Sequence, residues 1–97
     1  MDLTGKQVLV AGLGKSGIAA GALLKKMGCM VCLFDGNEKF DRSAWEKTYP
    51  VFSDCPLWIG ELPDAAVQEM ELAVVSPGIP LDTPVILKLQ AAGVPGG

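Results

Sequence analysis

Residues 12–17 read Gly-Leu-Gly-Lys-Ser-Gly, and where they stand constrains the fold more than any other feature of the chain. They follow Lys-Gln-Val-Leu-Val-Ala at 6–11, a Val-rich apolar run typical of a strand buried on both faces of a parallel sheet. They precede residues 15–27, where Ile18, Ala19, Ala22, Leu23 and Met27 recur at helical spacing, with Lys25 and Lys26 on another side. That predicts an amphipathic helix, ended by Gly28 in the left-handed position favoured after a last turn. A G-x-G-x-x-G between strand and helix has a mechanical reading. Gly12 permits the tight turn, Gly14 lets the backbone come close to a phosphate, and Gly17 lets the helix pack against the strand. Free N–H groups at the helix start, with the helix dipole, then attract an anion. Ser16 offers a backbone donor and a hydroxyl, while Lys15 is either an extra phosphate contact or a solvated cation.

Gly14-Lys15-Ser16 imitates the end of an ATP-hydrolysing Walker A loop, but that pattern demands glycine at position 9, where Leu9 stands inside the strand. The dinucleotide fingerprint fits better, because Asp35 closes the second strand eighteen residues beyond Gly17. A carboxylate there holds ribose hydroxyls in an NAD enzyme; it can also accept from the imide N–H of uracil, or serve only as a turn acid.

The second strand spans Met30–Phe34 and stops at Asp35-Gly36-Asn37. Residues 38–53 are mixed and polar, with one short helix expected near Ser43–Thr48. Leu57–Gly60 reads as a third strand and Pro63–Val67 as a helix start with proline in its first turn. Leu72–Val75 reads as a fourth strand, stopped by Ser76-Pro77-Gly78-Ile79-Pro80. A last helix, Val85–Ala92, is expected to be capped from Asp82-Thr83-Pro84 and ended by Gly93. Strands alternating with helices imply an α/β, three-layer Rossmann-like domain with a mostly parallel sheet of four to five strands. The 97 residues are expected to form one domain, cut before or at its last strand, where Val94-Pro95-Gly96-Gly97 stands. In such a sheet the fourth strand lies beside the first, which puts Ser76-Pro77-Gly78 opposite the glycine loop, either lining a ligand or serving as a rigid turn.

A net charge of −3 removes the basic footprint that nucleic-acid binding needs. No secretory signal or membrane-length apolar run is visible, so a cytoplasmic protein without membrane or nucleic-acid partners is expected. Cys29 and Cys32 form a C-x-x-C, but residues three apart on a strand point to opposite faces, so core packing is expected rather than a metal or redox pair.

Gly5-Lys6, the loop Gly12–Gly17, Asp35 and above all Val74-Val75-Ser76-Pro77-Gly78-Ile79-Pro80, followed by Pro84, resemble the N-terminal domain of the Mur ligase family over nearly the whole chain. The resemblance implies a domain that binds the uridine diphosphate part of a peptidoglycan precursor, UDP-N-acetylmuramoyl-L-alanine, rather than NAD. On this footing Gly14, Lys15, Ser16 and Gly17 cradle the diphosphate, Asp35 and the Gly36 backbone face the uracil, and Ser76, Pro77 and Gly78 line the nucleotide. Gly36 departs from the polar side chain often found beside that acid, leaving only a backbone donor. The resemblance further implies a monomeric parent ligase that uses ATP and magnesium to join D-glutamate to the precursor in cell-wall synthesis. Those sites belong to central and C-terminal domains, so no cofactor and no catalysis are expected of these residues alone. The rival readings are an NAD-binding half of an oxidoreductase and a domain that binds no nucleotide. An open edge on the fourth strand is expected to promote self-association.

Overall fold

The computed structural model describes residues 2–96. Four strands, β1 (Gln7–Ala11), β2 (Met30–Asp35), β3 (Leu57–Ile59) and β4 (Leu72–Val75), form one sheet in the order β3-β2-β1-β4. Every pairing is parallel, with Leu9 opposite Cys32 on one side and Ala73 on the other. Parallel pairing requires crossovers, and the helices α1 (Lys15–Lys26), α2 (Arg42–Thr48), α3 (Asp64–Glu69) and α4 (Pro84–Ala91) supply three of them plus one that leaves β4. The sheet reverses direction of growth between β1 and β4, so their carboxyl ends border the crevice where open α/β sheets take ligands.

Alternation along the strands divides the core into two. Leu9, Cys32, Phe34 and Ala73 face α3 and α4, meeting Val67, Ile86 and Leu89. Val8, Val10, Val31 and Leu33 face the other way, toward Leu24 and Phe52. Cys32 belongs to the first cluster and Cys29 packs against the second, so the C-x-x-C is split across the sheet. Burial pushes the Cys32 and Cys55 thiols above their ordinary value.

The buried stripe of α1 differs from the one its apolar spacing suggests. Leu23 is 59% exposed and Met27 40%, whereas Gly17, Gly21 and Leu24 are buried. The cause is close approach: small residues four apart bring the helix axis down onto β1, leaving Leu23 and Met27 outside. A Cβ on Gly17 would stand 1.9 Å from the Gly12 carbonyl oxygen, and one on Gly21 would stand 3.0 Å from the Phe52 ring.

In residues 38–56 the short helix expected near Ser43–Thr48 is α2, and the remainder is organised by aromatic rings. Asp41 caps α2 by accepting from the Ala44 N–H at 3.1 Å. Trp45 stacks on Phe52 with ring centroids 5.3 Å apart, and Phe40 and Tyr49 flank it at 5.7 and 5.6 Å. Lys25 ties this segment to α1, its ammonium 2.7 Å from both the Val51 carbonyl and the Asp54 carboxylate. The Asp54 hydrogen bond raises the Lys25 pKa, and the same bond lowers that of Asp54. Because the Asp54 carboxylate is exposed and its pairing screened by solvent, Lys25→Met is expected to lower Tm by only a few degrees at neutral pH, part of it from the lost hydrogen bond to the Val51 carbonyl. Asp54 contributes above its ordinary value of 3.8, and its share is lost as pH falls through its lowered value. Lys25 contributes fully below its ordinary 10.5, and its share is lost as pH rises through its raised value. Thermal melts of the two proteins from pH 2 to 11 therefore show a gap that is flat in the middle and narrows at both ends; a gap independent of pH throughout would remove the ion pair from the account.

The last helix runs Pro84–Ala91, one residue earlier at each end than the expected Val85–Ala92, and Thr83 at its N-cap makes no side-chain cap. The Thr83 hydroxyl donates to the Pro80 carbonyl at 2.6 Å instead, closing the turn that leads into α4. The outer edge of β4 is partly paired: the Ala73 N–H donates to the Pro95 carbonyl at 2.8 Å, and Gly96 bridges Ala73 in parallel sense. That contact removes one of the open groups on which edge-to-edge self-association would rest.

Candidate functional site

The glycine loop is clasped from both neighbouring strands. On the β2 side, the Gly12 N–H donates to the Phe34 carbonyl at 2.8 Å and the Leu13 N–H to Asp35 Oδ2 at 3.1 Å. Asp35 Oδ1 accepts from the Asn37 N–H at 2.9 Å. On the β4 side, the Ser76 hydroxyl donates to the Gly12 carbonyl at 3.1 Å and the Ser76 N–H to the Ala11 carbonyl at 3.0 Å. Gly12 takes φ +93°, and a Cβ there would lie 2.8 Å from Ser76 Oγ, so the turn and the clasp each exclude a side chain. Asp35 and Ser76 thus have structural work that sequence spacing alone did not reveal: they hold the loop in register with the sheet.

What the clasp presents is a set of unused donors. Gly14 is the N-cap of α1 and offers no side-chain cap, and the first turn carries no acidic residue. The N–H groups of Lys15, Ser16 and Gly17 donate to none of the described residues, as the first turn of any helix requires unless something caps it. A Cβ on Gly14 or on Gly78 would meet nothing within 4 Å, so open space lies before both. Lys15 and Ser16 are exposed, and Lys15 makes no ion pair with a described residue. Ser76 closes a turn by accepting from the Ile79 N–H at 3.1 Å, which leaves Pro77 and Gly78 exposed at its crest.

Next to Asp35, on the Gly36 side, lies a cavity of about 430 Å³ between the ends of β2 and β3 and the start of α4, lined by Phe34, Gly36, Gly60, Leu62, Pro84 and Lys88 among others. Of these, only Gly36 was named a site residue from the sequence; Pro84 was noted there as a helix start and as part of the resemblance, without a role in the site. For Gly60, Leu62 and Lys88 strand order was the one available signal, since it brings those ends to the same edge. The glycine loop, Asp35-Gly36 and Ser76-Pro77-Gly78 all lie on the carboxyl edge of the sheet, at the ends of β1, β2 and β4.

A family model described as Mur ligase MurD-like, N-terminal domain, matches residues 6–96. The chain belongs to the Mur ligase family, as a MurD-like N-terminal domain. Among curated relatives, the UDP-N-acetylmuramoylalanine--D-glutamate ligase of Lachnospira eligens is 42% identical over 97 residues, covering 98% of this chain and 21% of the relative. The enzyme of the same name from Caldicellulosiruptor saccharolyticus is 41% identical over 95 residues, covering 97% of this chain and 21% of its own length. The chain therefore spans about a fifth of the length of the relatives it matches. Among solved structures, shikimate dehydrogenase from Aquifex aeolicus superposes with a TM-score of 0.61 at 17% identity, covering 98% of this chain and 42% of that one. The precorrin-2 dehydrogenase SirC gives 0.64 at 12% identity, covering 100% and 46%. At that identity the likeness shows the Rossmann-like fold and nothing about ligand.

Proposed function

We propose that residues 1–97 form the domain that anchors the uridine diphosphate end of UDP-N-acetylmuramoyl-L-alanine, as part of a ligase that adds D-glutamate in cytoplasmic peptidoglycan synthesis. The observation that carries this reading is the set of unpartnered N–H groups of Lys15, Ser16 and Gly17, facing open space at the β1–β4 switch point of a MurD-like domain. A diphosphate satisfies those donors and the positive end of the dipole together. The base then lies past Asp35, whose carboxylate oxygens each keep a lone pair beyond the one used on Leu13 or Asn37, with the Gly36 N–H as a second contact. Pro77 and Gly78 line the opposite side. Binding energy from this remote handle fixes where the reacting end of the precursor stands, which is how non-reacting parts of a substrate serve a reaction elsewhere.

The residues present do not fit the ATP and magnesium of such a ligase. Leu9 is fully buried mid-strand where a Walker A glycine would have to be, and no group of three metal-ligating side chains occurs among the described residues. On this reading those sites lie in central and C-terminal domains of the ligase, and this chain alone is inactive. No helix among the described residues is long and apolar enough to cross a membrane.

Titrating isotope-labelled protein separately with UDP-N-acetylmuramoyl-L-alanine and with NAD, and following backbone amides, tests the reading. Shifts at Ser16, Gly36 and Gly78 with the UDP compound alone are expected. The same shifts with NAD alone would replace the assignment with an oxidoreductase half, which the position of Asp35 at the end of β2 also accommodates.

A further inference from the structure

The cavity beside Gly36 has two walls that come from different elements: Thr83, Pro84 and Val85 at the start of α4, and the irregular segment Gly60–Leu62 between β3 and α3. Lys88 joins them. It rises from α4 one turn past Pro84, and its ammonium stands 3.0 Å from the Leu62 carbonyl, 3.4 Å from Glu61 Oε1 and 3.4 Å from Asp64 Oδ1. Two of its three N–H donors are spent on Glu61 and the Leu62 carbonyl, and the Asp64 carboxylate stands beside it as an ion-pair contact, so the ammonium is engaged by the protein itself. The two carboxylates are largely exposed and their pairing is weak. The Leu62 carbonyl is different: its residue is only 1% exposed and seated in the core under α3 and α4, so the bond fixes a point on the cavity wall to the frame of the domain.

We propose that Lys88 is a positioning residue that sets the width of the base-binding end of the nucleotide site. It ties the β3–α3 segment to α4 and touches no part of the ligand. The inference rests on the nucleotide reading above and deepens it. Its signature is a split between the two ends of the ligand. The diphosphate end is built from α1, which Lys88 does not contact, whereas the base end depends on the two walls that Lys88 joins.

The test uses the whole chain in wild-type, Lys88→Met and Lys88→Arg forms, titrated with uridine 5′-diphosphate and separately with inorganic pyrophosphate while backbone amides are followed. Lys88→Met keeps the aliphatic stem and removes the donors. It is expected to weaken uridine diphosphate binding about five- to tenfold, a loss of roughly 1–1.4 kcal/mol, with pyrophosphate binding unchanged, and Lys88→Arg is expected to restore most of the loss. If Lys88→Met does not hold its fold, Lys88→Gln, which keeps one donor for the Leu62 carbonyl, carries the same comparison with a smaller loss for uridine diphosphate alone. Unchanged uridine diphosphate affinity in a folded variant overturns the proposal. So does an equal loss of both ligands, which would make Lys88 a support of the whole domain. Wild-type protein that takes up pyrophosphate but not uridine diphosphate overturns the nucleotide reading beneath it, and this inference with it.

Discussion

Gly17→Ala is expected to be the most destabilising single-methyl change in this chain. The added Cβ would stand 1.9 Å from the Gly12 carbonyl oxygen and 3.4 Å from Val10 Cγ1. The nearer obstacle is backbone, held from the far side by the Ser76 hydroxyl, so the clash cannot be relieved by turning a rotamer. Either α1 lifts off the sheet, uncovering Val10 and Leu24, or the glycine turn breaks its bonds to Phe34 and Asp35. Overpacking without a relaxation path costs about 3 kcal/mol, a large part of the roughly 5–15 kcal/mol that holds a domain of this size together. Thermal denaturation should show Tm lower by roughly 15 °C. Gly21→Ala provides the comparison: its Cβ would meet the Phe52 ring at 3.0 Å, an edge that can tilt, so its loss should be a fraction of that at Gly17. Equal melting temperatures for Gly17→Ala and wild type would mean that α1 packs further from β1 than the structure has it.

The same glycine pair explains where periodicity misleads. Apolar spacing in α1 points to Ile18, Ala19, Ala22, Leu23 and Met27 as the inner face; Ile18 and Ala22 do pack on the core, but the most buried positions are Gly17, Gly21 and Leu24, because contact distance as well as side-chain size decides which stripe lies on β1. Strand positions were legible because parallel strands buried on both faces are Val-rich runs bounded by turn residues; Leu72–Val75 is found at the boundaries its sequence suggests. In residues 38–56 the short helix was legible, expected near Ser43–Thr48 and found at Arg42–Thr48; the rest was not, since the order of Tyr49 and Phe52 comes from ring-on-ring contact with Trp45. The candidate site divides in the same way. Its glycine-loop end is a local motif, with spacing that a sequence displays. Its far end is assembled from Gly60, Pro84 and Lys88, residues that only strand order brings to one edge.

Gly14→Val should separate binding from folding, in contrast to Gly17. Gly14 has φ −78° and ψ −169°, a conformation that a β-branched residue adopts readily, and its Cβ would meet no protein atom within 4 Å. Replacing glycine at an N-cap by valine costs about 1 kcal/mol, so the variant should stay folded and lose a few degrees of Tm at most. The isopropyl group, however, fills the space before the first turn of α1, where phosphate oxygens must come within about 2.9 Å of the N–H groups of Ser16 and Gly17. Displacing the diphosphate from two charge-assisted hydrogen bonds removes about 3 kcal/mol, which is roughly a hundredfold in affinity. Gly14→Ala, with a single methyl in the same space, should fall between the two. The titration that follows Ser16 and Gly36 reads both effects in one experiment. If the valine variant stays folded and loses the Ser16 response, the α1 N-terminus is the phosphate site. If it binds as wild type does, the phosphate site lies elsewhere on the crevice, and Gly14 is an N-cap with no ligand to receive.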